Sequence, residues 1–113
     1  MSWKVTVRRG SSVGREKFGS LDEAVEHARR QVEEIGREDR LPTINFMREF
    51  TPEKRVNARI EISGPGLIRT PEGGIDVMGD GTAIVYVGAI RKQAIEADSL
   101  DEALERLHGE LSD

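Results

Sequence analysis

Trp3, Val5 and Val7 alternate with Lys4, Thr6 and Arg8, which is the period of a strand with one buried face. Gly10-Ser11-Ser12 then predicts a hairpin turn, and a second strand over about residues 13–18 leads to Ser20. There the period becomes helical. Leu21, Ala24, Val25, Ala28, Val32 and Ile35 share one stripe, Glu26 and Arg30 are expected to pair across a turn outside it, and Gly36 is placed to end the helix. Ser20-Leu21-Asp22-Glu23-Ala24 recurs as Ser99-Leu100-Asp101-Glu102-Ala103. Each copy reads as a capping box, in which the serine hydroxyl accepts from the glutamate N–H and the glutamate carboxylate reaches back to the serine N–H. The second helix carries Leu100, Ala103, Leu104, Leu107 and Leu111 on one stripe, with Gly109 fraying its end. Residues 83–87, apolar on both faces, predict a central strand ahead of it. Gly88-Ala89 follows as a turn, with Gln93, Ile95 and Ala97 alternating inward.

A β-β-α unit is therefore expected twice, over residues 3–36 and 82–110, with connecting strands in residues 43–78. Within that connection Val56, Ala58, Ile60 and Ile62 alternate cleanly with Arg55, Asn57, Arg59 and Glu61. Residues 43–50 fit either a strand, through Ile44 and Phe46, or a helical turn, through Met47 and Phe50. Ser63-Gly64-Pro65-Gly66 stops the alternating strand, residues 70–74 read as loop, residues 75–78 as a short strand, and Gly79-Asp80-Gly81 as a turn. The expected fold is one α+β domain spanning residues 1–113: an antiparallel sheet with two helices side by side on one face.

Composition narrows the chemistry. The chain has 113 residues and no cysteine, which removes disulfides, thiolate metal sites and thiol catalysis. The longest apolar run, residues 83–90, is too short for a membrane span, and the first residues show no apolar signal core, so a cytoplasmic protein with no membrane partner is expected. The formal charge is −4, but residues 1–63 carry 13 basic and 11 acidic side chains whereas residues 64–113 carry 4 and 10. The molecule is expected to be polarised.

Two segments are candidate binding sites. Arg8, Arg9, Arg15 and Lys17 flank the Gly/Ser turn, where exposed N–H groups between cations suit a phosphate; the same charges also discourage edge pairing. Arg55 and Arg59, on the same side of their strand, extend that patch if the fold allows. Leu67, Ile68 and Arg69 lie in a stretch, residues 63–74, that holds four glycines and two prolines, and they offer an apolar anchor to a partner or a bent edge strand. Other constellations fail on spacing. Residues 10–17 lack the adjacent Gly-Lys-Ser/Thr of a phosphate loop, His27 and His108 have no second ligand at metal spacing, and Asp76 and Asp80 lack the distal glutamate of a calcium loop. No catalytic residue, metal or cofactor is expected.

The sequence thus points to a small non-enzymatic interaction module that binds another macromolecule, a protein first, through a charge-polarised surface. Nucleic-acid or phosphate binding by the Arg8 to Lys17 hairpin comes second, because base-stacking aromatics are missing there and the net charge is negative. A homodimer, with a ligand or catalytic site built across it, is the third reading, since an uncovered sheet face must be solvated or find a partner.

Overall fold

The computed structural model describes residues 2–40, 45–47, 56–66, 70–88 and 91–112. In chain order the elements are β1 (Trp3–Arg9), β2 (Ser12–Phe18), α1 (Leu21–Glu38), β3 (Asn45–Met47), β4 (Val56–Ser63), β5 (Glu72–Met78), β6 (Thr82–Val87), β7 (Gln93–Ala94) and α2 (Leu100–Ser112). They form one sheet of order β2-β1-β4-β5-β6-β3, with β7 also on β6. Six strands pair antiparallel; β3 runs parallel to the first half of β6, and β7 pairs with its last two residues. The two-unit description accounts for β1-β2-α1 and β6-β7-α2, while β4 and β5 form a central pair between them and β3 lies outside both. Residues 43–50 contribute β3 at Asn45–Met47; the rest of that stretch lies outside the described residues.

Both helices lie on one face. Val5, Ala58, Ile60, Ile62, Ile75, Val77, Ala83 and Val85 from the strands form a single buried cluster with Leu21, Ala24, Ala28, Val32 and Ile35 of α1 and Ala103, Leu104, Leu107 and Leu111 of α2. The helices are antiparallel: His108 near the end of α2 contacts Asp22 in the first turn of α1, and Asp101 at the start of α2 acts electrostatically on Arg29 in mid-α1. Ser20 Oγ accepts from Glu23 N–H at 3.2 Å and Ser99 Oγ from Glu102 N–H at 3.1 Å, so both helices begin where expected. The return contacts differ from the expected box. Ser20 Oγ donates to the Glu23 carboxylate, and Glu102 accepts from the Asp98 N–H rather than from Ser99. Among the described residues, no helix is long and apolar enough to cross a membrane.

Several local expectations are corrected. Gly36 sits inside α1, which continues to Glu38 with Asp39 as its cap, because Arg9 and Asn57 bond Asp39 and give the last turn partners. Glu26 pairs with Arg29 at 2.5 Å, not with Arg30, and Arg29 also bonds Glu33 at 2.8 Å. A bulge between Val56 and Ala58 takes Val56 out of phase and leaves it exposed. Gln93 is exposed, while Ile95 and Ala97 are buried; the Ile95 N–H bonds Val85 O at 2.8 Å.

The largest correction is at Glu72-Gly73-Gly74, which is strand rather than loop. A Cβ on Gly73 would meet Leu107 Cδ1 of α2 at 2.6 Å and Tyr86 O at 2.8 Å. One on Gly74 would meet Ile60 O at 2.1 Å and Tyr86 Oη at 2.8 Å. The glycines are there because the helix on one face and the Tyr86 ring on the other both close onto the strand backbone. Gly74→Ala is therefore expected to cost about 3 kcal/mol, at the upper end of overpacking. Gly14→Ala, where a Cβ meets nothing within 4 Å, should be neutral or slightly stabilising. Urea titration of the two variants checks this, and equal midpoints would contradict the close approach.

Candidate binding face of the sheet

Strand alternation sends every second side chain to the face away from the helices. Pairing then aligns these side chains in rows. Lys17, Lys4, Ser63 and Glu72 form one row; Arg15, Thr6, Glu61, Gly74 and Tyr86 form the next; Val13, Arg8, Arg59, Asp76 and Ile84 form a third. The first two rows except Lys17 and Gly74, with Arg8 and Arg59 of the third, bound a concavity of about 480 Å³, to which Lys92 adds its side chain from the segment before β7. Lys4, Arg8, Arg15, Arg59 and Lys92 line it against the two carboxylates Glu61 and Glu72. A chain of net charge −4 thus presents a locally basic face.

The floor of this face is fixed by a buried ion pair. Arg59 and Asp76 are direct cross-strand partners, and Arg59 donates from Nε at 2.7 Å and from Nη2 at 3.1 Å to the two carboxylate oxygens. The Asp76 side chain is 3% exposed, whereas that of Arg59 is 36% exposed and forms the solvent-facing half. The bond to Asp76 raises the Arg59 pKa, so the guanidinium stays charged. Near it Tyr86 closes on Gly74 with its phenol end, almost fully buried, and burial, then the nearby Asp76 charge, push its phenol above the usual range. Lys92 Nζ stands 4.7 Å from the centre of the Tyr86 ring, within cation–π range. Arg8 is paired with Glu61. Among the described residues, Lys4, Arg15 and Lys17 have no ion-pair partner, and these three remain available to an outside anion.

The candidate residues therefore separate. Arg8, Arg15 and Lys17 share the basic face and are joined there by Arg59. The turn between the strands is only Gly10-Ser11, with Gly10 at φ +59° as a two-residue hairpin of the II′ kind requires. Arg15 and Lys17 stand opposite Thr6 and Lys4, well along the strand from that turn, so the charge gathers on the sheet rather than around the turn. Arg9 points to the other face. Its guanidinium bonds Glu38 at 3.1 Å and also Asp39, whose other oxygen accepts from Asn57 Nδ2 at 2.7 Å. Leu67, Ile68 and Arg69 lie outside the described residues, as does Arg55.

Sequence reasoning missed Lys4, Thr6, Glu61, Glu72, Tyr86 and Lys92. The first three were visible as the polar phase of β1 and β4. Tyr86 and Glu72 depended on reading Gly73-Gly74 as strand, and nothing marked Lys92. The histidines sit elsewhere: His27 Nε2 is 3.7 Å from Glu16 Oε2, with its ring against Phe18, and His108 contacts Asp22. Among the described residues, no group of three or more His, Asp or Glu side chains converges as metal ligands would. No family model matches this chain, and no curated protein or solved structure is significantly similar to it.

Two predictions follow from this electrostatic arrangement. Removing Arg59 strands a buried carboxylate, so Arg59→Ala should cost about 3 kcal/mol. Arg8→Ala breaks only an exposed pair and should cost under about 1 kcal/mol. Guanidinium denaturation reads both, and comparable costs would show that Asp76 does not depend on Arg59. The Arg9 cluster predicts a pH dependence. Glu38 is held below its ordinary 4.5 chiefly by Arg9, and Asp39 below its ordinary 3.8 by Asn57 and then Arg9. Lowered carboxylate pKa values stabilise the fold above the ordinary values, and that stabilisation is lost as pH falls through the lower folded-state values. Arg9→Gln should therefore lower Tm at neutral pH, and the difference should shrink as pH falls below the ordinary carboxylate values. A Tm difference that persists in acid would assign Arg9 a role other than charge pairing.

Proposed function

We propose that this protein is a small non-enzymatic interaction module that binds an acidic partner protein on the open, basic face of its sheet. The observation that carries the reading is the concentration of cations there: Lys4, Arg15 and Lys17 lack ion-pair partners among the described residues, and Lys92 stands over a buried ring. A rigid floor supports them, since the Arg59–Asp76 pair and Tyr86 are set by cross-strand pairing rather than by loops. Complementary charge on a partner would steer encounter and fix its orientation.

Nucleic acid is the alternative, favoured by the same cations. The aromatic chemistry of the face speaks for a protein instead. Tyr86 is 2% exposed and its ring is covered by Lys92, so it offers no surface on which a base could stack.

Fluorescence anisotropy with labelled polyglutamate and with a labelled single-stranded oligonucleotide, at about 0.15 M salt, tests the choice. Polyglutamate should bind, and the double variant Lys4→Glu/Arg15→Glu should weaken it by about tenfold or more, an effect of about 1.4 kcal/mol. Arg30→Glu/Arg37→Glu on the helix side should leave it unchanged. Oligonucleotide binding tighter than polyglutamate binding, and lost in the first double variant, would replace the protein partner with a nucleic acid.

A further inference from the structure

The basic face ends at β2, which among the described residues is paired on one side only and whose side chains from Ser12 to Lys17 are all exposed. The register shows which backbone groups it offers. A two-residue turn makes Arg9 and Ser12 a hydrogen-bonded pair, and antiparallel pairs alternate from there. Gly14 and Glu16 therefore turn their N–H and C=O groups inward to β1, while Val13, Arg15 and Lys17 turn theirs outward. The residues whose backbone groups have no strand partner among the described residues are thus the ones whose side chains lie on the basic face.

The helix-side face of the same edge has a different shape. Gly14 has open space where a Cβ would stand, and beside it is a recess of about 210 Å³ lined by Val5, Val7, His27 and Gln31. Glu16, next along, presents a carboxylate on that side.

We infer that β2 accepts an extended segment of the acidic partner as an added antiparallel strand, with the pattern acidic, polar or basic, acidic, apolar from N- to C-terminus. The two acidic side chains stand opposite Lys17 and Arg15 on the basic face, the residue between them faces Glu16, and the apolar side chain opposite Gly14 enters the recess. A second copy of β2 does not satisfy this edge. A dyad at Arg15 sets Arg15 on Arg15, one at Glu16 sets Arg15 on Lys17, and one at Gly14 brings Arg15 against Val13 with no anion to meet it. The inference rests on the acidic-partner reading and adds to it the edge, the direction and the side-chain pattern.

The test uses ¹⁵N-labelled protein and the capped peptide Thr-Glu-Lys-Glu-Val-Thr-Thr, as long as β2. Binding should slow hydrogen exchange at the amides of Val13, Arg15 and Lys17 by about tenfold or more and leave Gly14 and Glu16 unchanged. N-methylation of the two glutamates of the peptide, whose N–H groups point at β2, should abolish binding; N-methylation of its lysine and valine should not. Peptide binding that shifts Lys4 and Thr6 without protecting Val13, Arg15 and Lys17, or that survives methylation in both phases, would overturn strand addition and leave the basic-face reading intact. Absence of binding by both this peptide and polyglutamate would overturn the two together. Arg15→Glu should lose peptide binding while its circular dichroism remains that of the folded protein; full binding by this variant would overturn the pairing of Arg15 with an acidic side chain.

Discussion

Gly73 and Gly74 set the thickness of the molecule at its centre. With no side chain at either position, Leu107 of α2 closes on the strand from one side and Tyr86 from the other. The helix layer can then pack directly on β5, and on the basic face the buried Tyr86 takes the space that a side chain at position 74 would occupy. Tyr86 is near enough to the Arg59–Asp76 pair for the Asp76 charge to act on its phenol. A buried pair of this kind contributes little net stability but makes a shifted register expensive, because a slip would separate the buried Asp76 carboxylate from Arg59.

The charge of the chain is sorted by layer. The helices open with Asp22, Glu23, Asp101 and Glu102, which suit the positive N-terminal ends of their dipoles, and so the acidic residues collect on the helix side. Cations alternate onto the opposite face through β1, β2 and β4. Two arginines adjacent in sequence illustrate the division. Arg8 faces the basic surface, and Arg9 ties the N-terminal hairpin to the end of α1.

What the sequence revealed depended on how local the governing interaction is. The helix starts at Ser20 and Ser99 and the apolar stripes were legible because capping and helical periodicity act over a few residues. So were the strand phases of β1 and β4, which separated Arg8 and Lys4 from Val5 and Val7. The end of α1 was not, because Asp39 is stabilised by Arg9 and Asn57, partners from other strands. Gly73-Gly74 misled for a related reason: two glycines mark a loop locally, and only contact with Leu107 and Tyr86 makes them strand. The candidate site suffered in the same way. Arg15 and Lys17 were identified as a flank of the turn, yet their neighbours Lys4, Glu61 and Lys92 are supplied by sheet order, which no single segment encodes.

Sheet order also distributes the entropy of assembly unevenly. β1 meets β2 across the two residues of the turn, but it meets β4 only after about fifty intervening residues, including all of α1, have been enclosed. By the logarithmic scaling of loop closure, the second pairing costs about 3 kcal/mol more than the first. That difference is offset where the two strands touch, by Val5 against Ile62 and Val7 against Ile60 beneath α1. The join between β1 and β4 is thus the point at which this topology asks most of its apolar side chains, and the Arg9 clamp spans the same join from the helix side.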